Sequence, residues 1–408
     1  MSAHPTPYVS HATAPSRAWQ SIVAGFSASL VSIGLARFAY APLVPPLIEA
    51  HWFSSSNVVF LGAANLAGYL VGALIGHPLA RRSTSVATLR GMMALVTVAF
   101  VACAWPLSVP WFFVWRLASG IAGGAIMVLA AGTILPHVPR ERRGLASGAI
   151  FLGIGVGIAG SGTAVPLLLG FGLRTTWIGL AALSAGLTAA TWFAWPHDSA
   201  ASGHAVHAGE RRQRLDGGVA LLFMQYGLMA VALVPAMVFL VDFVARGLGA
   251  GAHAGARFWV MYGIGAIAGP PLYGWLADRL GARPALRLTL AAQALAVGVF
   301  WLSGDMLWLA AATMVIGTFP PGIVPLALAR VHERIHDHHA QSQAWSRATI
   351  SFAACQALAG YAYSAVFSAN GGNHRTLFGI ALAALVFAIV SDFAIPEMWL
   401  ARADVAPR

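Results

Sequence analysis

Residues 219–244 read VALLFMQYGLMAVALVPAMVFLVDFV, an apolar run in which Asp242 is the single charge. As a helix this run reaches about 39 Å, more than the roughly 30 Å hydrocarbon core of a bilayer. It is therefore a membrane span, and eleven further apolar runs repeat the pattern. The predicted spans are 19–48, 58–80, 91–109, 111–134, 145–170, 174–195, 219–244, 256–277, 285–303, 307–329, 345–367 and 376–393. Composition agrees: apolar residues make up 58% of the 408, charged residues 9%, and the mean hydropathy is +0.73. A water-soluble protein of this size needs far more polar surface. The expected fold class is an all-α polytopic membrane protein with twelve transmembrane helices.

The arginines orient it. All 24 basic residues are arginine, and they cluster in every second gap between spans. Residues 17, 81, 82, 90, 140, 142, 143, 211, 212, 214, 279, 283, 287, 330, 334, 347, 402 and 408 share one side. Basic segments are retained in the cytoplasm, so both termini are predicted there, in a bacterial inner membrane. The +11 charge is thereby spread over short membrane-boundary segments, which suits anionic lipid headgroups and not nucleic acid. Residues 1–18 carry Pro5, Pro7 and Pro15 with no short apolar core and cleavage site, and are expected to be a cytoplasmic tail. Cys103 and Cys355 both lie inside apolar runs, which speaks against a disulfide framework.

The longest internal polar stretch, residues 197–218, separates six spans from six. The expected organisation is a bundle at 19–196, a cytoplasmic linker, a second bundle at 219–394 and a tail at 395–408. An internal repeat supports the division. Gly76-His-Pro-Leu-Ala80-Arg81-Arg82-Ser83 returns, 198 residues later, as Gly274-Trp-Leu-Ala-Asp278-Arg279-Leu-Gly281-Ala-Arg283. Parallel halves of this kind are a transporter architecture.

The second copy of that repeat resembles the loop motif of the major facilitator superfamily, in which a glycine, an acid and basic residues pin helix ends together. The resemblance implies a gating role for Gly274, Asp278, Arg279, Gly281 and Arg283. The first copy departs from the motif, with Ala80 in place of the acid and Ser83 in place of the second glycine. Arg116-Leu-Ala-Ser-Gly120-Ile-Ala-Gly-Gly124 resembles the superfamily's intramembrane arginine motif. Gly144, Gly153, Gly157 and Gly162 have its antiporter spacing, with Ile158 replacing a proline and Ser161 a glycine. Gly34-Leu-Ala-Arg37-Phe-Ala-Tyr40-Ala-Pro42-Leu-Val-Pro45, followed by Leu61-Gly-Ala-Ala-Asn65-Leu-Ala-Gly-Tyr69, resembles the uncharacterised YbfB/YjiJ-like branch. The resemblance spans nearly the whole chain and implies two pseudo-symmetric six-helix bundles, the major facilitator fold.

Small residues at every fourth position (Gly68, Gly72, Gly76; Gly120, Gly124; Gly153, Gly157; Gly265, Gly269) predict close helix packing. Gly155 to Gly160 matches a dinucleotide fingerprint in letters but follows no strand, so no nucleotide site is expected. Prolines 42, 45, 46, 235, 270, 271, 320, 321 and 325 mark helices able to bend.

Arg37 and Arg116 lie inside spans, where an arginine costs at least ~2.5 kcal/mol, so each needs a cavity or a partner. No carboxylate is placed at mid-membrane to meet them. Glu49 and Asp242 fall near outer ends and Asp392 near an inner one. An arginine fork without a protein partner fits an anionic ligand bidentately. Arg37, Tyr40, Asn65, Arg116, Gln225 and Tyr226 are therefore the candidate substrate or coupling residues, the last two because first helices of each half face the centre in the superfamily. Tyr262, Gln293, Thr318, Gln356 and Tyr363 are further polar candidates. Asp242 and Glu49 are the candidate proton carriers. His332, His336, His338 and His339 cluster without an accepted metal signature, and no metal, cofactor or enzyme motif is expected. The expected function is secondary active transport of a small molecule, an organic anion, by a proton-coupled monomer. The alternatives are proton-driven efflux of lipophilic or aromatic compounds, and a membrane receptor or scaffold that does not transport.

Overall fold

A computed structural model describes residues 15–139, 142–196, 217–334 and 338–394. The predicted tails at 1–14 and 395–408 and the linker at 197–216 lie outside these residues. So do the side chains of His332, His336, His338 and His339.

The described residues are helical with no strand. In chain order the helices are α1 (Pro15–Ser29), α2 (Val44–Glu49), α3 (Ser55–Arg82), α4 (Ser85–Cys103), α5 (Val109–Ile134), α6 (Arg143–Leu169) and α7 (Leu173–Thr191). After the linker come α8 (Gly217–Asp242), α9 (Gly251–Leu280), α10 (Ala282–Leu302), α11 (Met306–Arg334), α12 (His338–Ala369) and α13 (His374–Ala394). With α1 and α2 counted as one pass, ten helical stretches are long and apolar enough to cross a membrane. The other two, α7 and α9, form where spans 174–195 and 256–277 are predicted, but glycine, threonine and tyrosine dilute their apolarity.

Short polar residues begin the helices that follow tight turns. Ser54, Thr84 and Ser108 accept from the backbone N–H of Asn57, Ala87 and Trp111, at 3.3, 3.0 and 3.1 Å. Each satisfies a donor that a helix start leaves orphaned. Between α9 and α10 the chain turns at Gly281, whose φ of +81° suits glycine. Glu333 Oε1 from the end of α11 then accepts from Ala282 N at 2.8 Å.

The first span is not the continuous helix that residues 19–48 predict. It passes from α1 into a π-helical turn at Leu30–Leu35, then a 3-10 stretch at Phe38–Leu43, before α2 resumes. Pro42, Pro45 and Pro46 supply no N–H, so the carbonyls a turn earlier lose their α-helical donors. Those prolines account for the 3-10 stretch, which contains Pro42 and ends just before Pro45.

Glycine stripes pack the halves in matching ways. In the first, a Cβ on Gly68, Gly72, Gly120 or Gly124 would overlap backbone carbonyls across the α3–α5 seam. In the second, Gly265, Gly269 and Gly317 do the same across α9–α11. Between halves, α3 packs on α12 and α6 on α9. These two contacts exchange under a twofold relation that carries each helix of one half onto its partner in the other. The repeat seen at 198 residues is thus a repeat in space.

Both described ends of the chain lie on one side, here the near end. There Ser21 Oγ donates to Ala194 O at 3.0 Å, and Gln225 Nε2 to Asp392 Oδ1 at 3.2 Å. Ties between the halves run from mid-membrane to the far end. Trp259 Nε1 donates to Ser161 Oγ at 3.0 Å, and Ser368 Oγ to Ser56 Oγ at 2.9 Å. Ser161, which breaks the antiporter glycine spacing, is therefore the acceptor of a hydrogen bond between halves.

Candidate functional site

The break in the first span builds the site. Where the π-helical turn gives way, the Ala36 carbonyl takes its hydrogen bond from Arg116 Nη1 on α5, at 2.7 Å. Arg116 is buried, and its guanidinium carbon lies 4.1 Å from the Tyr40 ring centroid. The Tyr40 hydroxyl donates to Val58 O of α3 at 2.6 Å. Asn65 Nδ2, also on α3, donates to Arg116 O at 3.3 Å and to Ser119 Oγ at 3.0 Å. Ser119 Oγ in turn donates to Arg116 O at 2.9 Å. These groups stitch the broken helix to α3 and α5, because a buried backbone or hydroxyl group without a partner is expensive in lipid.

Arg37 stands differently. It is half-buried, one residue past the carbonyl that Arg116 caps, at the contact between halves. Its Nη2 donates to Gln356 Oε1 on α12, and its guanidinium lies 4.9 Å from the Tyr69 ring centroid and 5.7 Å from that of Phe38. Neither Arg37 nor Arg116 has a carboxylate partner among the described residues, and the Nε of each is buried without an acceptor. Arg37, Tyr40, Asn65 and Arg116 line one small cleft together with Gly62, Leu66, Met237 and Val238 of α3 and α8. Beyond it lie Trp259 and Tyr262 of α9, stacked at 5.0 Å, with Phe38 6.1 Å from Trp259. The buried Tyr262 hydroxyl is unpartnered.

The structure thus gathers four of the six predicted residues. Tyr226 lies on α8 against Phe352 and Trp345 of α12, with ring centroids at 4.6 and 6.1 Å. Gln225 is elsewhere: its Nε2 binds Ala388 O and Asp392 Oδ1, both 3.2 Å away, inside the second half near its near end. One residue along a helix turns a side chain by about 100°, so two neighbours cannot share a face. In sequence Gln356 is one polar candidate among many. Tyr69 sits in the quoted Leu61 to Tyr69 block, and the cation-stacking role of its ring is visible only in the structure.

The candidate proton carriers also separate. Glu49 is exposed at the end of α2. Asp242 is fully buried at the far end of α8, bound by Arg246 through both carboxylate oxygens and by His374 Nε2 at 2.7 Å. A second π-helical turn, Phe243–Gly247, brings Arg246 round to the acid. Arg246 Nη2 also reaches Ser55 Oγ at 3.4 Å, across to the first half. Phe239, Phe243 and Phe367 surround His374. In the loop motif, Arg283 joins Arg287 on Asp392 of α13, while Asp278 is exposed and in no ion pair among the described residues. Arg279 lies over Trp275, 5.5 Å from its centroid. Gly274 has open space on its Cβ side.

The fold is shared by transporters of known structure. A D-xylose-proton symporter superimposes with a TM-score of 0.75 at 15% identity, covering 92% of this chain and 98% of its own. A bacterial homologue of the human lysosomal transporter Spinster, inward-facing and unoccupied, gives 0.74 at 15% identity, covering 97% and 100%. The nucleoside transporter NupG gives 0.72 at 15%, covering 93% and 99%. In sequence, a probable transporter of Streptomyces coelicolor, SCO4007, is 25% identical over 347 residues, 81% of this chain and 76% of its own. The family model described as the uncharacterised MFS-type transporter YbfB matches residues 29–392, the two bundles almost entire. The chain therefore belongs to the YbfB family of major facilitator transporters, multi-pass membrane proteins that move small molecules and are not enzymes.

Proposed function

We propose that this transporter moves a small organic anion across the bacterial plasma membrane by alternating access, coupled to protons, with both termini cytoplasmic. One observation carries the substrate class. Arg37 sits at the contact between the halves with a neutral amide and two aromatic rings for company, and no acid among the described residues. A carboxylate bound there would replace the Gln356 oxygen with a charge-assisted, bidentate pair. It would also find Arg116 in the same cleft.

The polar ties at the far end support a resting state closed on that side and opening toward the near, cytoplasmic side. Gly148, toward the near end of α6, has nothing within 4 Å of where a Cβ would stand. Proton coupling is assigned to Asp242 with His374, the buried carboxylate and imidazole that meet at the far end. Glu49, exposed, has the weaker claim.

The test is thermal stabilisation of the purified protein by a panel of organic anions, sugars and lipophilic cations, with Arg37→Ala alongside. Stabilisation by a carboxylate that vanishes in the variant supports the anion site. The aromatic wall of Phe38, Trp259 and Tyr262 favours a second reading, efflux of aromatic compounds. Stabilisation by aromatic cations that survives Arg37→Ala selects it.

A further inference from the structure

A groove on the first bundle, remote from the central cleft, is built like a lipid site. Ala94, Thr97 and Val98 of α4 face Ala185, Thr188 and Ala189 of α7, with Trp192 and Phe193 closing its near end. The hydroxyls in it are already used. Thr97 Oγ1 and Ser184 Oγ are 2.8 Å apart, and Thr188 Oγ1 donates to Ser184 O at 2.7 Å. What remains is an apolar trough with exposed walls: Val98 is 49% exposed and Phe193 88%. One turn nearer the near end than Ala94 on α4 stands Arg90. Its guanidinium lies 5.3 Å from the ring centroid of Trp192, and its buried Nε has no acceptor.

The second half shows what this arginine lacks. There Arg287, on α10, lies over Phe393 at 4.2 Å and is ion-paired with Asp392. At the repeat offset of 198, Asp392 falls on Ala194, Arg287 on Leu89 and Phe393 on Trp195, so Arg90 over Trp192 is a pair of the first half's own on the counterpart helices, with no acid carried beside it. Arg90 makes no ion pair among the described residues.

We propose that the α4–α7 groove binds one anionic phospholipid, its acyl chain in the trough and its phosphate on Arg90, whose buried Nε has no acceptor. Arginine grips phosphate through its fork, and a position near the near end of the span places that fork at headgroup depth. The inference is independent of the central anion site.

Full-length protein in neutral detergent is titrated with phosphatidylglycerol and with phosphatidylcholine. The lipid retained is read by native mass spectrometry, and stabilisation by thermal unfolding. Wild type is expected to hold one phosphatidylglycerol about tenfold more tightly than phosphatidylcholine, a difference of about 1.4 kcal/mol. Arg90→Gln should abolish that preference, Ala185→Phe should expel both lipids by filling the trough, and Arg82→Gln, at an exposed near-end position, should change neither. Equal retention of the two lipids by wild type would sink the proposal. So would an Arg82→Gln effect as large as that of Arg90→Gln, or inorganic phosphate stabilising as well as the lipid. If Arg90→Gln does not fold, Ala185→Phe decides, because retention of phosphatidylglycerol with the trough filled excludes the groove.

Discussion

The two halves share a backbone plan and divide the buried charge between them. The first carries its intramembrane cations, Arg37 and Arg116, with partners that are all neutral among the described residues: an amide, a backbone carbonyl and aromatic rings. The second carries its buried acids, Asp242 and Asp392, each held by two basic side chains. At the repeat offset, Arg37 falls on Pro235 and Arg116 on Met314. The second half is an electrostatically closed frame, whereas the first leaves positive charge for something else to answer. Within the first half the two arginines divide again, Arg116 holding structure together and Arg37 meeting the other half.

That division can be broken by substitution. The largest effect is expected from Arg116→Ala, which strips the Ala36 carbonyl of its donor in a buried site. A stability loss of about 3 kcal/mol is expected, measured as a fall in the thermal midpoint and in monodisperse yield. Arg37→Ala should leave the fold intact and lower uptake of an anionic substrate about 100-fold, about 2.7 kcal/mol. Arg37→Lys should recover only part, since an ammonium cannot make the fork. If Arg37→Ala unfolds the protein as Arg116→Ala does, the contrast between the two arginines is lost. Asp392→Asn removes the acid that gathers Arg283, Arg287 and Gln225. Because Arg287 is 31% exposed and keeps water, the expected loss is about 1–2 kcal/mol, seen in thermal unfolding. The smallest effect is reserved for His374→Gln. A glutamine amide can still donate to Asp242 there, so the variant loses only one of the two basic side chains that hold the acid. Its thermal midpoint should fall by less than that of Asp392→Asn.

The spans were legible because lipid leaves so little freedom: a run long and apolar enough to cross must be a helix. The repeat and the glycine seams were legible for the same reason, since close packing writes small residues at helical spacing. Arg37, Tyr40, Asn65 and Arg116 could be gathered from sequence because charge in an apolar run demands an explanation. What could not be read is set by distances along the chain. Nothing near Arg37 announces Gln356, 319 positions away, or near Asp242 announces His374, 132 positions away. The prolines located the break in the first span, but not the two unusual turns that absorb it or the carbonyl that Arg116 caps. Gln225 falls outside the cleft because a helix offers the centre only one face.

Gln356 gives the resting protein a rehearsal partner. An amide oxygen is a neutral imitation of a carboxylate oxygen, and it comes from α12, in the opposite half from Arg37. On the proposed mechanism the unloaded carrier would bring its halves together without leaving a bare cation between them, and a carboxylate substrate would have only to evict an understudy. Removing the understudy, by Gln356→Ala, should spare one-for-one exchange of substrate while slowing net transport, which requires the journey back with the site empty.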